Sequence, residues 1–262
     1  MVYLDFAATS PLLPEVTSAM REAENKYFAN ASALHTPGHL AMNLIEECRG
    51  LLAEIVGAEP EEIIFTSGAS ESNNTVIRTF EGHRIETSPY EHHSVLEAAR
   101  LYRGDKLPGL YSSMLANNET GDMIFEPKAF SDETFVHSDL TQALGKIPLD
   151  VRKLGLDYAT FSAHKIGGPI GVGALFVKKG VPFKPLIVGG LQEKGRRGST
   201  YNTVGIAGFK AALEYAKKHQ TWEQYDTDVR KLRDCLARRI LAEVPGSSLN
   251  TDTQRGKSLP NI

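Results

Sequence analysis

The chain has 262 residues, of which 41% are hydrophobic and 23% are charged, and its formal net charge is −3. This balance suits a folded globular protein and argues against nucleic acid as a partner, because nucleic-acid-binding domains carry a strongly basic surface. Two cysteines without metal-type spacing, no signal-peptide pattern and no apolar run of membrane-spanning length favour the cytoplasm, with no disulfide framework, metal site or membrane contact.

Helical patterns occupy the first part of the chain. An extended arm at residues 2–8 is followed by a predicted helix over residues 14–28 and a loop over residues 30–39. Apolar residues then recur at helical spacing over residues 41–56, and Gly57 ends this predicted helix. Cys48 lies on the apolar face, so we expect it to fill the core rather than act as a nucleophile.

Polar groups follow the predicted strands at the points where the strands end. The strands are predicted over residues 63–66, 84–88, 110–116, 134–139 and 156–161. The groups at their ends are Ser67-Gly68-Ala69-Ser70, His92, Asn117-Asn118, Asp139 and Ser162-Ala163-His164-Lys165. Ligands of open parallel sheets bind beyond the carboxyl ends of the strands, so these groups are expected to converge on one site.

The turn at residues 67–70 leads from a strand into a helix predicted over residues 71–79. Small residues at a helix N-terminus present free N–H groups and the positive end of the helix dipole, which is how proteins bind phosphate. Ala69 and Ser70 are therefore the candidate phosphate-binding residues. An ordinary capping turn with Ser70 as the N-cap is the alternative, and it is compatible with phosphate binding.

Lys165 lies at a strand end among small residues and precedes a glycine-rich stretch at residues 166–173. A partly desolvated lysine loses its proton more readily and can form a Schiff base with an aldehyde, while neighbouring hydroxyl, imidazole and N–H groups hold a phosphate. The alternative is a lysine on a surface loop, which a short motif does not exclude.

Five stretches together resemble the NifS/IscS-type cysteine desulfurases, which are pyridoxal 5′-phosphate (PLP) enzymes of fold type I in the class V aminotransferase family. They are YLDFAAT at residues 3–9, IIFTSGASESNN at 63–74, EHHSVL at 91–96, ANNETG at 116–121 and SAHKIGGPIGVG at 162–173. These stretches run in the order typical of the family and are distributed over nearly the whole chain. The set is far more specific than any one of its members.

The resemblance implies an α/β fold with a PLP-binding large domain, in which helices flank a mostly parallel sheet and a strand at residues 172–177 runs antiparallel. It divides the chain into an N-terminal arm at 1–15, the large domain at 16–205, and a helical connection with the start of an incomplete small domain at 206–262. The segments at 96–115 and 121–139 are shorter than the family usually carries. Helices are predicted over 203–219 and 221–244, with Cys235 on the packing face of the second.

The resemblance also implies roles for individual residues. Lys165 would be the Schiff-base lysine and proton carrier, and His92, selected over His93 by the Glu-His-x-x-Val-Leu pattern, would stack on the PLP ring as a second catalytic residue. Asp139 would pair with the pyridine nitrogen, and Gln142 would bind the phenolic oxygen. The cofactor-binding set that follows is Ala69, Ser70, His92, Asn118, Asp139, Gln142, Ser162, His164, Lys165 and Thr200.

Several of these residues have plain structural alternatives. Asp139 reads equally well as a helix cap. Thr200, which would cross a dimer interface to the partner's phosphate, lies where the order of two residues is exchanged relative to the family pattern. The alternative is that Thr200 belongs to a solvated basic loop. His35 and His39 lie in a loop that the family places near the active-site entrance, and solvated loop histidines are the alternative.

The implied function is a PLP-dependent cysteine desulfurase, which removes sulfur from L-cysteine to give alanine and an enzyme persulfide for iron–sulfur cluster assembly or other sulfur transfer. The implied assembly is a homodimer that passes sulfur to an acceptor protein. The family's nucleophilic cysteine and carboxylate-binding arginine belong beyond Ile262, so we expect residues 1–262 to bind PLP and release little sulfide. The alternatives are another class V aminotransferase, a selenocysteine-lyase-like enzyme, and a catalytically silent PLP-binding module.

Overall fold

Six strands form one sheet in this computed structural model, which describes residues 2–125, 133–254 and 256–262. Strands β1, β5 and β6 are buried along their whole length and rich in apolar residues, as expected for strands covered on both faces. The strands are β1 (Ile63–Thr66), β2 (His83–Thr87), β3 (Lys106–Ser112), β4 (Thr134–Asp139), β5 (Tyr158–Ser162) and β6 (Gly173–Val177).

The order of the strands across the sheet is β1-β6-β5-β4-β3-β2. The pairs β2–β3, β3–β4 and β4–β5 are parallel, while β6 is antiparallel to both of its neighbours, β1 and β5. The predictions of a mostly parallel sheet and of an antiparallel strand near residues 172–177 are confirmed. Because only β6 is reversed, the carboxyl ends of the other five strands lie at the same edge of the sheet.

Helices cover both faces of the sheet. Two of them begin earlier than predicted: α2 begins at Thr36, where the His35 ring accepts the Gly38 N–H, and α3 begins at Ala69. The αL conformation of Gly57 ends α2, as predicted. The longer helices are α1 (Pro14–Lys26), α2 (Thr36–Val56), α3 (Ala69–Thr79), α4 (His93–Tyr102), α5 (Thr203–His219) and, after the short α6 (Thr221–Gln224), α7 (Arg230–Glu243).

Two apolar clusters hold these layers together. The larger one joins α2 and α5 to the sheet and includes Ile45, Cys48, Phe161 and Phe209, all fully buried. The smaller one joins α3 and α4 to the opposite face through residues such as Val76 and Val95. Burial of one such side chain stabilises a protein by roughly 1.5–3 kcal/mol, so these clusters fix the positions of the strand ends.

The C-terminal helices differ from the prediction of a continuous helix with a packed face. A π-helical stretch, Tyr225–Val229, separates α6 from α7, and no residue of α7 is buried. Cys235 is exposed, so its assignment to the core was wrong, whereas Cys48 is buried as predicted. Apolar residues do recur at helical spacing in α7, but no described residue buries them: Leu232, Leu236 and Ile240 are all exposed.

Two further sequence expectations concern the middle of the chain. Strand β3 spans Lys106–Ser112 rather than residues 110–116, so it begins and ends earlier than predicted. Its residue pairing with β4 ends at Ser112, although the Ser113 and Leu115 N–H groups still donate to β4 carbonyls. Part of the segment predicted to be short, residues 126–132, lies outside the described residues. Among the helices that the structure describes, none combines the length and the apolar character needed to cross a bilayer.

Candidate active site

A cavity of about 600 Å³ opens at the edge of the sheet where the carboxyl ends of the strands meet. It collects polar side chains from segments that are far apart in the sequence, as the pattern of polar groups at strand ends predicts. Nine of the ten predicted cofactor-binding residues line it: Ala69, Ser70, His92, Asn118, Asp139, Gln142, Ser162, His164 and Lys165.

The turn between β1 and α3 forms one wall of this cavity. Gly68 is the N-cap of α3, with φ 154° and ψ 179°, a conformation that is essentially restricted to glycine. A Cβ on Gly173 of the neighbouring strand would lie 2.7 Å from the Gly68 Cα, so glycine is required there as well. Ser70 is therefore not the N-cap, and the free N–H groups at the start of α3 face the cavity without a side-chain cap.

Lys165 reaches the cavity from the 3₁₀ turn that follows β5. Its Nζ donates hydrogen bonds to the Ala7 and Ala8 carbonyls over 2.6 and 2.8 Å, which ties it to the N-terminal arm. Burial lowers the pKa of Lys165, and the nearby carboxylates of Asp139, Asp5 and Glu119 oppose this shift. Desolvation thus favours the neutral amine, which is the nucleophilic form of lysine.

Asp139 ends β4 and is 6% exposed. Its Oδ1 accepts the Thr141 N–H over 2.9 Å, and its Oδ2 accepts a hydrogen bond from Asn73 Nδ2 over 2.8 Å. Asn73 also donates to Ser94 Oγ, which lies 2.8 Å from His92 Nδ1. The Asp139 carboxylate is thereby held in one orientation at the cavity wall.

His92 and Asn118 lie at the rim of the cavity. The His92 side chain accepts the Ser94 N–H as the N-cap of α4, whereas His93 does not line the cavity. Asn118 donates to Glu119 Oε1 over 2.8 Å. Of the two histidines at 35 and 39, neither lines this cavity, and His35 caps α2.

His164 and Gln142 also line the cavity that holds Lys165. Burial and the positive charges of Lys165 and Lys146 lower the pKa of His164 to about 4, so its ring is neutral near pH 7. Its Nδ1 lies 3.1 Å from Thr9 Oγ1. Gln142 Nε2 donates to the Ala7 carbonyl over 3.1 Å.

Thr200 is the one predicted residue that does not line the cavity. It is exposed and borders a smaller neighbouring cavity of about 200 Å³, which shares Ser67 and Gly171 with the larger one. The loop that carries Thr200 is tied to α3 by Arg197, whose Nε and Nη2 bind the Glu71 carboxylate over 2.9 and 3.1 Å. The predicted role of Thr200 across a dimer interface stays a prediction.

Sequence reasoning missed three polar residues that support this site. Asn73 holds Asp139, Lys146 holds Gln142, and the Glu91 carboxylate accepts the Met114 N–H over 2.6 Å next to His92. All three are buried. Asn73 and Glu91 lie inside the quoted motifs, so their position next to predicted site residues was the available signal, and for Lys146 the signal was its four-residue distance from Gln142.

The residues at the cavity fit PLP. The buried Thr141 Oγ1 has no hydrogen-bond partner among the described residues, and it lines the cavity beside Asp139. The uncapped start of α3 suits a phosphate, the Asp139 carboxylate suits a protonated ring nitrogen, and Lys165 suits an aldehyde. Polar groups of all three kinds face a single space that is large enough for a small ligand.

Lys165 lies beyond β5, and Asp139 lies at the end of the adjacent strand β4. This arrangement in an α/β fold is typical of one class of protein, the fold-type I PLP-dependent enzymes. The chain belongs to the aminotransferase class-V family, whose model matches residues 2–110 and 105–262. The members of this family that it resembles are cysteine desulfurases of the IscS and NifS type, and PLP is the cofactor of the family.

The relatives match almost the whole chain. A cysteine desulfurase IscS of Dictyoglomus turgidum is 37% identical over 300 aligned positions, which cover 99% of this chain and 74% of that relative. A NifS-like protein structure from Rickettsia africae has 30% identity and a TM-score of 0.87, covering 99% of this chain and 79% of that one. The structure of SspA in complex with cysteine has 33% identity and a TM-score of 0.75, covering 82% and 73%.

The alignment also bears on the length of the internal segments. Its 300 positions exceed the 262 residues of the chain, so this chain is shorter than the Dictyoglomus protein within the aligned region. The two pieces of the family match meet at residues 105–110, inside a segment predicted to be short. Asn118 and Asp139, which lie next to the shortened segments, line the cavity.

Proposed function

We propose that this chain holds PLP in the cavity and acts on L-cysteine as a cysteine desulfurase. One observation carries the proposal: Lys165 and Asp139, from the adjacent strands β5 and β4, face the same cavity as the N-terminus of α3. Two similar proteins support the choice of substrate: the relative from Dictyoglomus turgidum is a cysteine desulfurase, and SspA forms a complex with cysteine.

The residues of this chain would hold the cofactor at three points. The N–H groups of Ala69 and Ser70, with Ser162 and His164, would bind the phosphate, and Lys165 would bind the aldehyde carbon. Asp139 would hold the proton on the ring nitrogen, while His92 and Asn118 would cover the ring. When bound, PLP supplies an electron sink for bond cleavage next to the α-carbon of an amino acid.

Lys165 would also carry a proton during the reaction. Burial lowers the pKa of Lys165, so its amine, when not bonded to the aldehyde, would take up a proton from the substrate's α-carbon and return it. The Ala7 and Ala8 carbonyls would hold the released amine beside the cavity, at the positions where they accept its hydrogen bonds.

The thiol that receives sulfur would be neither Cys48 nor Cys235, so it would have to lie outside residues 1–262. Cys48 is fully buried in the core between α2 and the sheet, Cys235 lies on α7, and neither lines the cavity. A sulfur acceptor must reach the substrate as a thiolate. This observation also favours a second candidate, another class V reaction that needs no enzyme thiol, such as amino-group transfer.

We further propose a homodimer in the cytoplasm that serves iron–sulfur cluster assembly or other sulfur transfer. Thr200 would bind the phosphate of the partner subunit, since it lines the neighbouring cavity and not the one that holds Lys165. The division into an arm at 1–15, a large domain at 16–205 and a connection at 206–262 belongs to this proposal.

The experiment is reconstitution of the protein with PLP, followed by visible absorbance and borohydride reduction. Wild-type protein is expected to gain a visible band, and reduction should fix PLP to Lys165, detected by peptide mass. Lys165→Ala should lose the fixed label, while the exposed-site control Lys184→Ala keeps it. A wild-type protein without a band or label would overturn the proposal.

A titration of the visible band with amino acids tests the substrate. L-cysteine is expected to change the band at lower concentration than L-alanine or L-serine, which differ from it only in the side-chain group. An equal response to the three amino acids would contradict the assignment of L-cysteine. Transfer of the amino group to a 2-oxo acid, with no preference for cysteine, would favour the second candidate.

A further inference from the structure

Lys146 is a buried lysine that the proposed chemistry leaves unused. It is 2% exposed and follows the end of β4 by a turn of helical backbone, in which the Leu144 N–H binds the Leu140 carbonyl. Its Nζ donates to Gln142 Oε1 over 2.8 Å, four residues earlier in the chain. Burying an amine is costly, so a lysine at this position calls for an explanation.

The amide of Gln142 is held at both ends. Gln142 Nε2 donates to the Ala7 carbonyl over 3.1 Å, and the same carbonyl accepts Lys165 Nζ over 2.6 Å. A carbonyl oxygen can only accept hydrogen bonds, so the NH₂ group of Gln142 must face Ala7 and its oxygen must face Lys146. Ala7 and Gln142 both line the cavity.

We propose that Lys146 is a positioning residue, which fixes the amide of Gln142 so that its NH₂ group faces the cavity and donates to the phenolic oxygen of PLP. The inference rests on the proposed function, because it assigns a device to the same cofactor site. Without the Lys146 donor, only the 3.1 Å bond to the Ala7 carbonyl would hold the amide, so Gln142 would turn more freely and donate less to the phenolic oxygen.

The electrostatic setting agrees with this geometry. Burial, and then the positive charge of Lys165, lower the pKa of Lys146 to about 7. Both the neutral amine and the ammonium can donate to Gln142 Oε1, so the contact persists through this titration. Around Lys165, the carboxylates of Asp139, Asp5 and Glu119 favour its cation, and the His164 ring is neutral near pH 7.

The test is the pH midpoint of the visible band in the PLP-loaded protein. A donor on the phenolic oxygen withdraws negative charge from the neighbourhood of the Lys165 nitrogen, which then loses its proton at lower pH. Lys146→Met, which removes the donor and keeps the side-chain length, is expected to raise the midpoint by roughly one pH unit. Gln142→Met should raise it by a similar amount.

The double variant decides whether Lys146 acts through Gln142. If it does, Gln142→Met with Lys146→Met has the midpoint of Gln142→Met alone. If the two shifts add, Lys146 acts by its own charge or through the general structure, and the inference is wrong. Lys210→Met is the matched control, because Lys210 is a partly buried lysine paired with Glu47, outside the cavity lining.

The remaining outcomes also separate the two proposals. A wild-type protein without a band overturns both of them, whereas a normal wild-type band with an unchanged midpoint in Lys146→Met overturns only the role of Lys146. If Lys146→Met does not give folded protein, as judged by circular dichroism, Lys146→Leu provides the same apolar test with a smaller side chain.

Discussion

Asn73 and Asp139 are joined by a hydrogen bond of 2.8 Å, although they are 66 positions apart in the chain. Asn73 lies on α3, the helix whose N-terminus faces the cavity, and Asp139 ends β4. This contact links the proposed phosphate-binding end of the site to the group proposed to bind the ring nitrogen.

Replacement of Asn73 by alanine should therefore disturb both stability and PLP binding. It leaves a buried carboxylate oxygen without its donor, so the free energy of unfolding is expected to fall by about 1–3 kcal/mol. The measurements are urea unfolding without PLP and PLP affinity by fluorescence. Asn74→Ala is the control, because Asn74 donates to the Ser70 carbonyl and not to Asp139. An equal loss of PLP affinity in both variants would contradict the assignment.

The buried pair of Arg49 and Glu193 should anchor the loop that carries Thr200. Arg49 binds Glu193 through two hydrogen bonds of 2.7 and 3.1 Å, and it donates to the Ile63 carbonyl at the start of β1. The side chains are 6% and 1% exposed. Glu193→Gln leaves the buried guanidinium with only the half-exposed Glu46 carboxylate, 3.1 Å from its Nε, as a counter-charge. Urea unfolding should therefore show a loss at the lower end of the range of about 3–5 kcal/mol that is typical of a broken buried pair.

Glu47→Gln is the matched control for that pair. Glu47 binds Lys210 over 2.8 Å, but its side chain is 60% exposed, and exposed ion pairs contribute little. The urea concentration at the unfolding midpoint of Glu47→Gln is therefore expected to be close to that of the wild-type protein. Equal losses in Glu193→Gln and Glu47→Gln would show that the buried pair has no special role in stability.

The buried carboxyl group of Glu91 should make the stability of the protein depend on pH. Burial raises the pKa of Glu91 to about 7, well above the ordinary glutamate value of about 4.3, so between these values the folded protein holds a proton that the unfolded chain has released. Its contribution to the free energy of unfolding must then fall as the pH rises through this window. Glu91→Gln stays neutral and keeps an oxygen that can accept from Ser88 Oγ and Met114 N.

The measurement is the difference in free energy of unfolding between Glu91→Gln and wild type at several pH values. The difference should grow in favour of the variant by up to about 1.4 kcal/mol per pH unit inside the window, and level off outside it. Groups that titrate in the same way in both proteins cancel in the difference. A difference that does not change with pH would show that Glu91 has the same pKa in the folded and the unfolded protein.

The two cysteines should differ sharply in reactivity. Burial raises the pKa of the Cys48 thiol well above its ordinary range, whereas Cys235 is exposed on α7. A thiol reagent should therefore modify Cys235 in the native protein and Cys48 only after unfolding. Cys235→Ser should abolish the rapid reaction. Rapid labelling of Cys48 in that variant would mean that α2 opens readily.

Much of the candidate site could be predicted because its residues lie in short, recognisable sequence patterns. A strand that ends in Asp139, a small-residue turn before α3 and a lysine after β5 are patterns that need only a few neighbouring residues. Parallel strands bring their carboxyl ends to one edge, so the positions of the strand ends are enough to predict a common site. The same short-range periodicity predicted that Cys48 is buried.

Other features depend on contacts that no local pattern contains. The hydrogen bonds from Lys165 to Ala7 and Ala8 join positions 158 and 157 residues apart. They form because the fold places the N-terminal arm at the wall of the cavity. The exposure of Cys235 has the same origin: helical spacing of apolar residues predicts a face that can pack, but burial requires another element to lie against it. The sequence by itself therefore determined the strands, most of the helices and the types of polar group at the strand ends. The tertiary structure alone decided which distant residues hold those groups in place, because local propensity acts over a few residues whereas packing acts across the whole fold.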